Sequence, residues 1–292
     1  MKLLITGANG QVGREVARMA PDQGWHTSAP ERSALDITDP QAVLEAMDTF
    51  RPDMVINAAA CTAVDEAETN PAPAWSVNRD GARHLATACA RFGSGLLHLS
   101  TDYVFDGAKP TPYLETDPPA PLGVYGASKW AGEVAIRENC PRHLIFRVSW
   151  VFGFHGKNFL KTILRLARER EALSVVQDQR GAPTPADAIA HMLLTVAEKA
   201  LDPGFDQWGL YHYRGTPETD WWQFARFIVA TASRYQPLPV REVRPITTAQ
   251  FPTPARRPAH SVLNCDRIRE RLAIQPPEWQ THASELLRRM LS

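Results

Sequence analysis

The chain has 292 residues, 44% of them apolar and 22% charged, the make-up of a globular protein and not of a disordered one. Its 32 Lys and Arg balance its 32 Asp and Glu, so it lacks the basic excess with which proteins grip nucleic-acid phosphates irrespective of sequence. The length suits about two domains, and no apolar run approaches the roughly 20 residues that cross a bilayer.

Residues 2–6 form a short apolar run that stops at glycines, with no signal-peptide pattern before it. Residues 11–20 have helical spacing, with Val12, Val16 and Met19 on one face. Residues 25–28 read as a weak strand. Asp39 is a fitting N-cap for a helix over 40–50, with Pro40 at its first position. An apolar strand at 54–57, a helix over 73–92, a strand at 96–100, a helix carrying 128–138 and a strand at 144–148 complete the first half. Short apolar strands separated by helices imply a parallel sheet with right-handed crossovers. Beyond 150, helices are expected over 159–170, 185–199 and 221–235, strands at 173–177 and 210–213, a proline-rich loop over 237–258, and short helices at 267–272 and 284–290. Four widely spaced cysteines, Cys61, Cys89, Cys140 and Cys265, read as free thiols of a reducing compartment.

The segment Gly7-Ala8-Asn9-Gly10-Gln11-Val12-Gly13 places three glycines between a strand and a helix. Such glycines permit a tight turn, a close backbone approach to a pyrophosphate and close helix–strand packing, while the helix N-terminus offers free N–H groups to phosphate. This predicts dinucleotide binding by Gly7, Gly10, Gln11, Val12 and Gly13. After the second strand, Glu31 would accept from a ribose 2′-hydroxyl and Arg32 would pair with a 2′-phosphate, so NADH and NADPH both stay open. Asp36 and Ile37 are placed near the adenine. Ala58, Ala59 and Ala60 follow the third strand, where small side chains leave room for a flat cofactor. The expected fold is α/β: a Rossmann-type doubly wound parallel sheet over 1–150, to which 184–200 returns, and a smaller interwoven substrate lobe built mainly from 151–292.

Tyr125 and Lys129 stand four apart, hence on one helix face with their Cβ atoms about 5–6 Å from each other. An ammonium there is expected to draw the phenol's pKa down towards working pH, making Tyr125 a general acid for a carbonyl that receives hydride. Ser100 and Thr101 end the fourth strand, where sites form in open α/β sheets.

These three features together resemble the extended short-chain dehydrogenase/reductase family. The stretches STDYVFDG, YGASKWAGE, RVSWVFG and DQRGAPT narrow the likeness to the reductases that act on dTDP-4-dehydro-L-rhamnose. The resemblance implies reduction of the 4-keto group to give dTDP-L-rhamnose, with Tyr125 as proton donor, Lys129 on the nicotinamide ribose and Thr101 on the substrate carbonyl. It implies that Asp102, Tyr103, Val104 and Trp150 line the sugar pocket and that Asn158 and Arg257 serve the diphosphate end. Some members gather acids around a divalent metal at a dimer interface. Here Glu15 matches, Asp187 replaces a longer acid and Gln280 stands near a missing one, so no metal is assigned, Mg²⁺ included. A cytoplasmic location is expected, without membrane or nucleic-acid partners, and monomer and homodimer both stay open. A related nucleotide-sugar epimerase or reductase, and a non-catalytic dinucleotide-binding regulatory subunit, are the rival readings.

Overall fold

The computed structural model describes residues 1–291. Strands β1 (Lys2–Thr6), β2 (His26–Ser28), β3 (Met54–Asn57), β4 (Gly95–Thr101) and β5 (His143–Val148) join Gly209–His212 in one six-stranded sheet. Its order is 209–212, β5, β4, β3, β1, β2, and every pairing is parallel. The chain leaves β1 to one side for β2 and returns on the other side as β3. A crevice therefore opens at the carboxyl ends of β1 and β3, the topological switch point of a doubly wound fold.

Both faces of the sheet are covered, which explains the nearly continuous apolar runs of β1 and β3. Leu3 and Ile5 face helix α1 (Gln11–Met19) and helix Ala186–Lys199, together with Ile268 and Leu272. Leu4, Val55, Leu96 and Ile145 face the other way, onto Met47, Leu85 and Ile136. A separate core gathers Phe152, Leu160, Leu173, Phe224, Trp279 and Leu287 beside the sheet. Helix Trp221–Ala232 and helix Trp279–Leu291 pack there.

Several elements differ from expectation: helix Val64–Thr69 is not among those read from the sequence, and the last helix starts at Trp279 and not at 284. Within the proline-rich stretch 237–258, Glu242–Ile246 is a strand that pairs in parallel with Ala172–Val176. The helical run read over 73–92 is interrupted by a π-helical segment, Ser76–Gly81. That segment brings Asn78 to Cys61, whose backbone N–H it accepts at 2.9 Å, and to the Ser128 hydroxyl at 3.0 Å. The four cysteines are free, three of them buried, and no helix among the described residues is long and apolar enough to cross a membrane.

Candidate active site

The glycine turn is a cradle that side chains would fill. Gly7 has φ +71°, and a Cβ there would lie 2.4 Å from the Ala59 nitrogen. A Cβ on Gly13 would lie 2.2 Å from the Gly7 carbonyl oxygen. The Gly10 N–H donates to that same oxygen at 2.9 Å and closes the turn. Gly10 then caps α1 without any side-chain bond, leaving the first N–H groups of the helix directed at the crevice. A groove of about 280 Å³ follows, lined by Gly7, Gly10, Arg32, Asp36 and Ile37, and by Ala58 to Ala60. Leu35, Pro73 and Val77 supply apolar flanks that the sequence reading omitted. These residues fit a dinucleotide: small walls, backbone donors at a helix end, and an exposed arginine at the rim.

Arg32 Nε donates to Asp36 Oδ2 at 3.1 Å. The Thr38 backbone N–H and the Arg32 guanidinium hold Asp36 below the usual carboxylate range. Val12 and Gly13 do not line the groove. Val12 is packed into the core, and the Gln11 amide oxygen accepts from Asn158 Nδ2 at 2.9 Å.

Tyr125 opens helix Val124–Asn139 and Lys129 follows one turn on. Thr101, at the end of β4, faces the Tyr125 hydroxyl and donates to Asp102 Oδ1 at 3.2 Å. Tyr103 packs edge-on against Tyr125 with ring centres 5.7 Å apart. Burial pushes the phenol of Tyr125 up to about 12, with Thr101 opposing and Asp102 adding to the rise. The expected downward pull of Lys129 on Tyr125 is therefore not what this arrangement gives. Lys129 Nζ points elsewhere, to the Leu99 carbonyl at 2.6 Å and His98 Nε2 at 3.2 Å. The phenol is instead firmly protonated, the form a general acid requires.

Asp102 is buried with its Oδ2 accepting from Ser261 Oγ at 2.5 Å. Burial raises its pKa to about 7, against the bonds from Ser261 and Thr101. Val104 is core, packed with Phe105, Tyr113 and Leu263, and does not present its side chain to a pocket. Trp150 lies flat on Trp221 at 3.5 Å, and its ring occupies the space over Gly181. The Asn158 oxygen caps helix Phe159–Glu169 by accepting from the Lys161 N–H, and its nitrogen donates to the Gln11 amide oxygen and the Gly153 carbonyl. Arg257 is engaged by Asp65 through two bonds of 2.7 Å, which places it beside Tyr103 but with its charge already matched.

For a metal the fit is poor. Glu15 pairs with Arg18 at 2.8 Å and Asp187 with His282 at 3.0 Å. The Gln280 side-chain oxygen is buried without a hydrogen-bond partner. Among the described residues no three His, Cys, Asp or Glu gather as ligands.

Sequence reasoning missed Asn78, His98, Ser261 and the pair Glu133–Arg147. His98 and Arg147 carried a signal, each being a polar residue inside an apolar run, Leu96–Leu99 and Leu144–Val148, of a strand covered on both faces.

A Rossmann sheet with a glycine cradle at its switch point, and a Thr–Tyr–Lys set at the end of β4, defines a short-chain dehydrogenase/reductase. The family model described as RmlD substrate binding domain matches residues 1–292. A dTDP-4-dehydrorhamnose reductase of Aggregatibacter actinomycetemcomitans is 46% identical over 281 residues, 96% of each chain. That of Burkholderia thailandensis is 44% identical over the full length of both. The solved dTDP-4-dehydrorhamnose reductase of Bacillus anthracis in complex with NADP superimposes with a TM-score of 0.91 at 35% identity, covering 99% of both chains. The chain belongs to the dTDP-4-dehydrorhamnose reductase family.

Proposed function

We propose that the protein reduces the 4-keto group of dTDP-4-dehydro-L-rhamnose to give dTDP-L-rhamnose, with NADPH or NADH as reductant. The observation that carries the reading is the protonated phenol of Tyr125 beside the Thr101 hydroxyl, at the strand end adjoining a groove shaped for a dinucleotide. The reduced nicotinamide supplies hydride.

The protein's own residues do the rest. The N-terminus of α1 and the backbone of residues 7–10 would take the pyrophosphate, and Ala58 to Ala60 would leave space for the ribose and ring. Thr101 would orient the keto oxygen by a hydrogen bond, holding it within reach of the Tyr125 hydroxyl. Tyr125 would release its proton to that oxygen as negative charge develops there. A phenol with a high pKa gives up its proton only to a strong base, so transfer would accompany arrival of hydride and not precede it. The Thr101 hydroxyl proton rests on Asp102 Oδ1 at 3.2 Å, and it would turn from that carboxylate to the keto oxygen when substrate binds.

The test is oxidation of NADPH and of NADH, followed at 340 nm, with the 4-keto sugar nucleotide generated in situ and the product identified by NMR. Turnover to dTDP-L-rhamnose is expected. Tyr125→Phe should bind cofactor normally and lose at least about 100-fold in kcat, the low end for general acid catalysis. Cofactor binding without turnover would remove the assigned reaction, and an active Tyr125→Phe would remove the assigned acid.

A further inference from the structure

A chain of buried polar groups runs across the sheet behind the site, and the reduction as described makes no use of it. Thr6 Oγ1 donates to Asn57 Oδ1 at 2.8 Å, and the Ala59 backbone N–H donates to the same oxygen at 3.1 Å. Two donors on that oxygen settle which way the amide faces. Asn57 therefore offers its Nδ2 hydrogen to His98 Nδ1, 3.0 Å away. Burial holds His98 well below the usual imidazole range, so the ring is neutral. A neutral imidazole that accepts at Nδ1 carries its single proton on Nε2. That nitrogen lies 3.2 Å from Lys129 Nζ. An ammonium has three donors and no lone pair, so it cannot receive this hydrogen, whereas an amine can.

We propose that His98 is a positioning residue for the cofactor site: where Lys129 loses its proton, at mildly alkaline pH, its amine accepts from His98 Nε2–H, and NAD(P)H, whose ribose hydroxyls accept from an ammonium, returns a proton from solvent to Lys129 on binding. The inference rests on the reading of Lys129 as part of the nicotinamide ribose site. The neighbourhood agrees with it. Burial lowers Lys129 to about 8, and Glu133 on the same helix works in the opposite direction. The Glu133 carboxylate is already held by Ser100 and Arg147. From β4 the facing group is His98, from β3 the neutral Asn57, and from the first turn of the helix Tyr125. The contact with Leu99 serves either form of Lys129, since an amine and an ammonium both donate.

The consequence is proton uptake on binding. A group whose proton affinity is higher in the complex than in the free protein makes the Kd rise with pH between its two pKa values, by up to tenfold per unit. The experiment is calorimetric titration of NADPH, and separately of NADH, into the full-length protein from about pH 7 to about pH 9.5, in paired buffers of different ionisation heat. Uptake should be small near pH 7 and approach one proton per site above about pH 8, with the Kd weakening correspondingly. Lys129→Met should abolish the uptake. His98→Gln, which can turn a carbonyl oxygen to the ammonium, should keep Lys129 charged to higher pH and at least halve the uptake near pH 8.5. Nitrogen NMR of histidine-labelled wild-type protein reads the same point without a substitution, and His98 should appear as the Nε2–H tautomer. Binding without uptake, uptake unchanged in His98→Gln, or an Nδ1–H tautomer would overturn this inference alone. Failure of both cofactors to bind would overturn it together with the functional reading.

Discussion

Removing the charge of Glu133 should destabilise the protein severely although it touches no substrate. Glu133 and Arg147 are 0% and 1% exposed. The guanidinium meets the carboxylate through two bonds, Nε to Oε1 at 2.9 Å and Nη2 to Oε2 at 2.7 Å. Ser100 Oγ donates to Oε1 at 2.5 Å. The remaining nitrogen, Nη1, faces a neutral His212 at 3.4 Å, and the next carboxylate, Glu115, acts on Arg147 only through space. Glu133→Gln keeps the shape and leaves the Arg147 cation buried without its counter-charge. Breaking such a pair from one side costs about 3–5 kcal/mol. With about 0.6 kcal/mol per kelvin of unfolding entropy for a chain of this length, the melting temperature should fall by about 5–8 °C. Glu133→Leu combined with Arg147→Met removes both charges and should lie within about 1–2 kcal/mol of wild type. Differential scanning calorimetry at one protein concentration distinguishes these cases. A single variant that melts within about 1 °C of wild type, or a double variant as unstable as the single, would refute the argument.

Arg32→Ala should weaken NADPH by about tenfold, the worth of one charge-assisted hydrogen bond, and NADH by much less; equal losses in a fluorescence titration would mean that Arg32 does not read the 2′-phosphate. Gly13→Ala forces a methyl group against a backbone oxygen that has no room to yield, so stability should drop by about 1–3 kcal/mol and cofactor affinity with it, both measurable by thermal melts with and without NADPH. Burial raises Asp102 from the ordinary carboxylate range to about 7. The native state therefore binds its proton more tightly than the unfolded chain does, and stability falls as pH rises between about 4 and 7, by at most about 1.4 kcal/mol per unit. Asp102→Asn should flatten urea-denaturation stability across that window, and an unchanged slope would assign the pH dependence to other groups.

What the sequence disclosed and what it hid divide along physical lines. Strands buried on both faces are apolar runs, so β1, β3, β4 and β5 were legible, as was the 3.6-residue spacing that puts Tyr125 and Lys129 on one face. The strand Glu242–Ile246 was not, because it lies mostly exposed and carries two charges and a proline. Nor does any residue preference distinguish the π-helical turn at Ser76–Gly81 from the α-helix on either side of it. In the site, the glycine cradle is local and could be read. The bonds from Arg257 to Asp65 and from Ser261 to Asp102 join residues 192 and 159 positions apart, and nothing in either segment names its partner. The Lys129 prediction failed for another reason. Helical spacing gives proximity but not direction, and the Lys129 nitrogen points to Leu99 and His98 instead of towards the phenol.

The return of Ala186–Lys199 to cover Leu3, Ile5 and Phe146 has a consequence for biosynthesis. When β5 leaves the ribosome, five of the six strands exist, yet one face of the sheet lacks the helix that will shield it. At about 5–20 residues per second that helix emerges a few seconds later. During this interval the nascent polypeptide displays an uncovered aliphatic surface and an unpaired β5 edge, both invitations to association with other chains. Slowing initiation, and so spacing the ribosomes on one message, should therefore raise the yield of folded protein more than slowing elongation, which lengthens the vulnerable interval.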